Sequence, residues 1–161
     1  MDRGDTVSDA FQDLMQHNLC YGCGAANPSG LKIKSYWEGD EAVCTFQPAA
    51  HHMAGPPHVV NGGIISMIID CHAVCTAIAD AYKGEGRTIG SAPMIWYATG
   101  SLKVDYLRPT PINSPIQLRA RILERGARKT RLTCSVQSNG QECAKGDIVA
   151  VRVPNEWFEG A

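Results

Sequence analysis

From Gly62 to Lys83 the chain holds one long apolar segment whose large residues (Ile64, Ile65, Met67, Ile68, Ile69, Val74 and Ile78) fall on nearly every face of a helix. A helix written this way has no solvent side and must be wrapped by the rest of the fold. It runs for about 22 residues, roughly 33 Å at 1.5 Å per residue. Asp70 and His72 stand inside it, and both are costly in lipid. The segment therefore reads as a wholly buried core helix of a soluble domain. Asp70 and His72 each need a specific reason to be there.

The wrapping is supplied by strands. Leu31–Glu38 and Glu41–Gln47 alternate β-branched and aromatic residues with polar ones and meet at Gly39-Asp40, the pattern of a hairpin. After the helix, strand patterns recur at Met94–Arg108, Ile116–Glu124, Lys129–Gln137 and Glu142–Val153. Arg125-Gly126 and Asn139-Gly140 fall where tight turns are needed. Pro48 to Val60, with three prolines and three histidines, excludes regular structure and reads as a loop leading into the helix. At the start, Ser8 is placed to cap a short helix carrying Phe11, Leu14 and Met15 and ending near Asn18. The order predicts an α+β fold, an antiparallel sheet of about six strands around one central helix. With 161 residues, 44% of them apolar, the chain suits a single domain: an N-terminal helix and Gly-rich turn over 8–30, and a core over 31–153.

Fifteen basic and sixteen acidic residues leave a net charge of −1 with no basic stripe, which excludes nucleic acid as the expected partner. Met1 to Asp9 is polar and acidic, unlike a secretory leader. Seven cysteines, an odd number spread through helix and strand patterns, fit reduced thiols and a cytoplasmic location.

Asp70 is the residue hardest to explain by packing. Its helical neighbours at three and four residues are Ser66, Met67, Ala73 and Val74, so no cation on its own helix neutralises it. Such a carboxylate is a candidate reactive group. Upstream, Gly62-Gly63 opens the helix, where free amides and the positive end of the helix dipole suit an oxyanion. Eight residues separate Gly62 from Asp70, about 12 Å along the axis. One chain cannot easily bring both to one carbonyl. Two helices packed antiparallel about a two-fold axis could, which predicts a homodimer with shared sites.

Asn61-Gly62-Gly63 followed by Asp70 resembles the His-Gly-Gly motif of PaaI-like hotdog thioesterases, in which an acid stands nine residues after the His. The run from Thr99 to Pro109 resembles that family's strand after the helix, with Thr99 at the position that faces the catalytic acid. Cys20-Tyr21-Gly22-Cys23-Gly24, then Asn27-Pro28 and Gly30-Leu31, is similar to the N-terminal signature of its THEM-type acyl-CoA thioesterases. The resemblance spans residues 20 to about 153 and implies a hotdog fold hydrolysing acyl-CoA, as a dimer or a tetramer. It also implies roles: Gly63, with Gly62, polarises the thioester carbonyl; Asp70 attacks it or activates water; Thr99 holds the water or the Asp. No metal or cofactor is called for.

This chain departs from the motif at Asn61, whose amide donates a hydrogen bond but cannot carry a proton. Loss of the His keeps open a second reading, a non-catalytic acyl-CoA sensor or carrier. A hydratase ranks below both, since its His–acid arrangement is missing. His58, or His51 and His52, are candidates to restore an imidazole. The phosphates of CoA need basic groups, for which Arg108, Arg128, Lys129 and Arg131 are the candidates. Trp96 and Tyr97 are candidates to line the acyl pocket. Cys20 and Cys23, with His17 nearby, have the spacing of half a zinc site, but the second half is missing because the other cysteines lie in strands or helix. They read as thiols packed in a tight turn, and Cys71 and Cys75 as small core residues.

Overall fold

The computed structural model describes residues 8–159. The element order is α1 (Phe11–Leu14), β1 (Ser35–Glu38), β2 (Glu41–Phe46), a 3₁₀ turn (Ala50–His52), α2 (Gly62–Gly84), β3 (Trp96–Tyr106), β4 (Ile116–Arg125), β5 (Lys129–Ser138), β6 (Gln141–Val153) and α3 (Glu156–Glu159). The six strands form one antiparallel sheet in the order β1-β2-β4-β5-β6-β3. This is the expected hotdog arrangement, with α2 packed across the strands on one face.

Period-2 alternation explains which face meets the helix. Ala42, Cys44 and Phe46 of β2, Ile116, Leu118 and Ala120 of β4, and Leu132, Cys134 and Val136 of β5 are all buried. Asn139 and Gly140 both take positive φ, as a two-residue turn between β5 and β6 requires. On β6, Gly146 sits so close to the helix that a Cβ there would come within 2.5 Å of Ile69. Small residues in the sheet thus let the helix down onto it.

Two expectations are corrected. The N-terminal helix is a single turn capped by Ala10 without a side-chain hydrogen bond, not a longer helix begun by Ser8. Packing holds it instead, since Phe11, Gln12 and Met15 are buried. The central helix is not wholly buried either. Ile64, Met67, Asp70 and Val74, at helical spacing, form a half-buried stripe. It stays half open because β3, the sheet edge packed against α2, has no strand on its outer side, and Thr99, Ser101 and Lys103 are exposed along it.

His72, two residues after Asp70, has the opposite fate. It is fully buried; its Nε2–H donates to the Ala42 carbonyl (3.0 Å), and Nδ1 accepts from Ser35 Oγ (2.8 Å). Ser35 Oγ accepts in turn from Gln12 Nε2 (2.8 Å), whose Oε1 takes the Ser35 N–H (2.8 Å). This closed network ties α1, β1 and β2 to the helix. Burial holds the imidazole neutral, its pKa lowered to about 4.

Candidate active site

Asn61 ends the incoming loop in extended backbone and caps α2, its Oδ1 accepting the Gly63 N–H at 2.7 Å. The amide assigned to an oxyanion is therefore engaged by the cap. Tyr106, at the end of β3, leans over the same turn: its hydroxyl donates to the Gly62 carbonyl (2.7 Å) and accepts from Ser66 Oγ (2.5 Å). A cleft of ≈ 270 Å³ opens beside it, lined by Gly62, Ile65, Tyr106, Arg108 and Thr110 among others. Arg108 also donates to the Glu142 carbonyl (3.0 Å). Tyr106 is a site residue that the sequence reading missed. Alternation with Leu102 and Val104 made it look like plain packing, yet it is 55% exposed.

Two turns further along α2, Asp70 Oδ1 accepts a 2.6 Å hydrogen bond from Thr99 Oγ1, the pairing the resemblance implied. Burial pushes the Asp70 carboxyl above the usual carboxylate range; the Thr99 hydrogen bond pulls the other way, and Cys23 adds to the rise. Among the described residues no Lys, Arg or His pairs with it. The carboxylate sits on the half-open stripe, held from one side only. Because α2 is unbroken from Gly62 to Gly84, the axial separation of about 12 Å between its start and Asp70 stands.

No family model matches the chain. Over 100 residues, 62% of its length, the chain is 30% identical to acyl-coenzyme A thioesterase THEM4 of Rattus norvegicus, and it spans 37% of that protein. The crystal structure of a thioesterase superfamily protein from Shewanella loihica PV-4 is 34% identical and superposes with a TM-score of 0.62, covering 76% of this chain and 91% of that one. The chain belongs to the thioesterase superfamily. A protein of Streptococcus mutans UA159, smu.793, solved bound to acetyl CoA, shares the fold at 14% identity (TM-score 0.61; 75% of this chain, 88% of that one).

In this superfamily member the remaining candidates divide by place. Arg108 is brought to the start of α2. Arg128 and Lys129 are not: they follow the β4–β5 turn beside the C-terminal end of α2, where Arg125 pairs with Asp80 (2.8 Å). Lys129 and Arg131 flank buried Thr130, so they leave the sheet on the face away from the helix. His52 is buried in the loop, where its Nδ1 accepts the Ala49 N–H (3.0 Å) and its ring stacks on Phe46. His51 packs edge-on against it. His58 is exposed, with its carbonyl taking the Ile112 N–H. The histidine rescue of Asn61 thus finds no imidazole bonded to Asp70. Trp96 packs on Phe158, and Tyr97 is buried beside the C-terminal end of α2.

The helix also brings the Cys71 thiol against the N-terminal turn, beside Cys20 and Cys23.

Proposed function

We propose that the chain hydrolyses acyl-CoA thioesters at Asp70. The observation that carries this reading is the Thr99-bonded, cation-free carboxylate on the half-open stripe of α2. With Oδ1 held by Thr99, Oδ2 either attacks the thioester carbon or takes a proton from a water that does so. The C–S bond then breaks, and CoA leaves as a thiolate that is protonated by solvent; on the first route a water then cleaves the acyl–aspartyl anhydride, releasing the free acid and restoring the carboxylate. The carbonyl oxygen collects negative charge against the first-turn amides of a second copy's α2: Gly62 N–H directly, and Gly63 N–H once Asn61 Oδ1 swings away. Arg108 receives a CoA phosphate at the mouth of the cleft. Activity of the rat relative and the acetyl CoA bound to the Streptococcus protein support the substrate class.

The 12 Å between helix start and Asp70 favours a site completed by a second copy, whose helix start faces this Asp70 across the stripe of Ile64, Met67 and Val74 and the free edge of β3. A mixture of Asp70→Asn and Gly63→Pro subunits tests the sharing. Proline at this first-turn position removes the N–H together with the Asn61 cap it donates to, and mixed dimers regain turnover only if each site draws on both chains.

A second reading rests on one contact. The Asn61 side chain occupies Gly63 N–H, which suits a protein that binds acyl-CoA without hydrolysing it. Thiol release across a panel of acyl-CoAs, with Asp70→Asn beside the parent, separates the two. Release that drops by about 10²–10⁴-fold in the variant supports catalysis at Asp70. Release that survives the substitution removes Asp70 from the mechanism. Saturable binding with no release supports the sensor.

A further inference from the structure

Beside α2, three thiols from two distant segments share one small volume, with a fourth one helical turn on. The Sγ atoms of Cys20, Cys23 and Cys71 all lie within 4.8 Å of one another, and Cys20 and Cys71 are 3.7 Å apart. Cys75, one turn after Cys71 and 1% exposed, lies outside this set of three but on the same side of α2, one helical turn on. Two thiolates bound to one tetrahedral zinc at about 2.3 Å are about 3.8 Å apart. The Cys20–Cys71 spacing is that of a tetrahedron edge.

The surroundings are built for the same purpose. Cys20-Tyr21-Gly22-Cys23-Gly24 folds into a tight knuckle closed by Gly24 N–H donating to the Cys20 carbonyl (2.8 Å). Asn18 fixes both ends, with its Oδ1 accepting the Cys20 N–H (3.0 Å) and its Nδ2 donating to Cys23 Sγ (3.4 Å). A sulfur that accepts hydrogen bonds from an amide is dressed as a metal-bound thiolate commonly is. Gly22 lets the knuckle press onto the helix, since a Cβ there would stand 2.4 Å from Cys71 Sγ. Cys20 is exposed and gives an ion a way in; the other three are buried.

We propose that Cys20, Cys23 and Cys71, joined by Cys75 from the next turn of the helix, form a structural zinc site that staples the N-terminal segment to α2 beside Asp70. Binding converts four thiols to thiolates, releases four protons to solvent and leaves a Zn(S)₄ centre with no open position for substrate. A Cys20–Cys71 disulfide would use only two of the sulfurs and leave Cys23 and Cys75 without a role. The proposal does not depend on what the cleft hydrolyses.

The test uses the full chain purified under reducing conditions. Elemental analysis is expected to find one zinc per chain, and replacement by cobalt(II) to give thiolate-to-cobalt charge-transfer bands with the intense visible absorption of a tetrahedral site. Cys20→Ser, at an exposed position, weakens zinc retention against a chelator by at least about tenfold. Cys143→Ser, a thiol outside the cluster, leaves retention unchanged. A parent chain with all thiols reduced that shows no cobalt–thiolate band overturns the proposal, and so does a Cys20–Cys71 disulfide in protein that carries no zinc. Equal zinc retention by Cys20→Ser and the parent overturns it as well. The first two readouts use the unmutated chain, so no variant needs to fold for the proposal to fail.

Discussion

Asp70 and His72 are two residues apart on one helix, and their surroundings differ in almost every respect. His72 lies inside a closed set of hydrogen bonds running from Gln12 through Ser35 to the Ala42 carbonyl. Asp70 has Thr99 on one side and a half-open stripe on the other. Two residues turn a helix by about 200°, so neighbours in sequence face different worlds. A polar group whose partners are all present serves the fold; one left partly unsatisfied at the edge of the core is available for chemistry.

The sharpest way to break this contrast is to neutralise each residue in turn. Asp70→Asn should lose about 10²–10⁴-fold in thiol release while the folded chain stays as stable as the parent, or more so, at neutral pH. The sign follows from the raised carboxyl pKa: the charged form is disfavoured in the fold, and the amide removes that charge. His72→Ala should do the reverse. It strands Ser35 and the Ala42 carbonyl, opens a cavity and costs roughly 3–5 kcal/mol in denaturant unfolding, with turnover per folded molecule near the parent's. Comparable activity losses in both variants would dissolve the distinction.

Acid offers a milder test of the same network. The His72 pKa is lowered from 6.5 to about 4 by burial. Between those values the unfolded chain binds a proton that the folded chain refuses, so this contribution to stability is full above pH 6.5 and is lost as the pH falls toward 4. The loss amounts to about 3 kcal/mol. Urea unfolding at stepped pH measures it, and a flat stability profile from pH 7 to 4 in the parent, matched by His72→Ala, would contradict the assignment.

Thr99→Val addresses the other side. It removes the hydrogen bond that favours the carboxylate, so the acid limb of the pH–rate profile should move to higher pH and turnover should fall about tenfold, the equivalent of ~1.5 kcal/mol. An unshifted limb would separate Thr99 from the Asp70 titration. The smallest effect is expected at the helix start, where Asn61→Ala removes the cap and costs about 1 kcal/mol of stability. Because the same change frees Gly63 N–H, turnover should not fall in proportion; a rise would show that the cap competes with the oxyanion.

How much of this was legible beforehand depended on range. The alternation of Ile116, Leu118 and Ala120 gave β4 and its buried face, and Asn139-Gly140 gave a turn, because both signals are local. The Asp70–Thr99 pair was readable only through resemblance, since 29 residues separate the two. Tyr106 gave no signal, because its hydroxyl matters only where the end of β3 passes over the start of α2. Arg128 and Lys129 looked equivalent to Arg108 as cations, and only strand placement separates them.

By itself the sequence determined that a long apolar helix would be wrapped by antiparallel strands, and that Asp70 would be the costly residue on it. Periodicity fixes element and face within a few neighbouring residues, where backbone geometry alone decides what lies beside what. Tertiary structure decided which side of that helix stays half open. It also decided that His72 is fully satisfied and Asp70 is not, and that Cys20 and Cys23 meet Cys71. Those outcomes depend on contacts between segments about 30 to 50 residues apart, which chain closure and packing select together and no local pattern encodes.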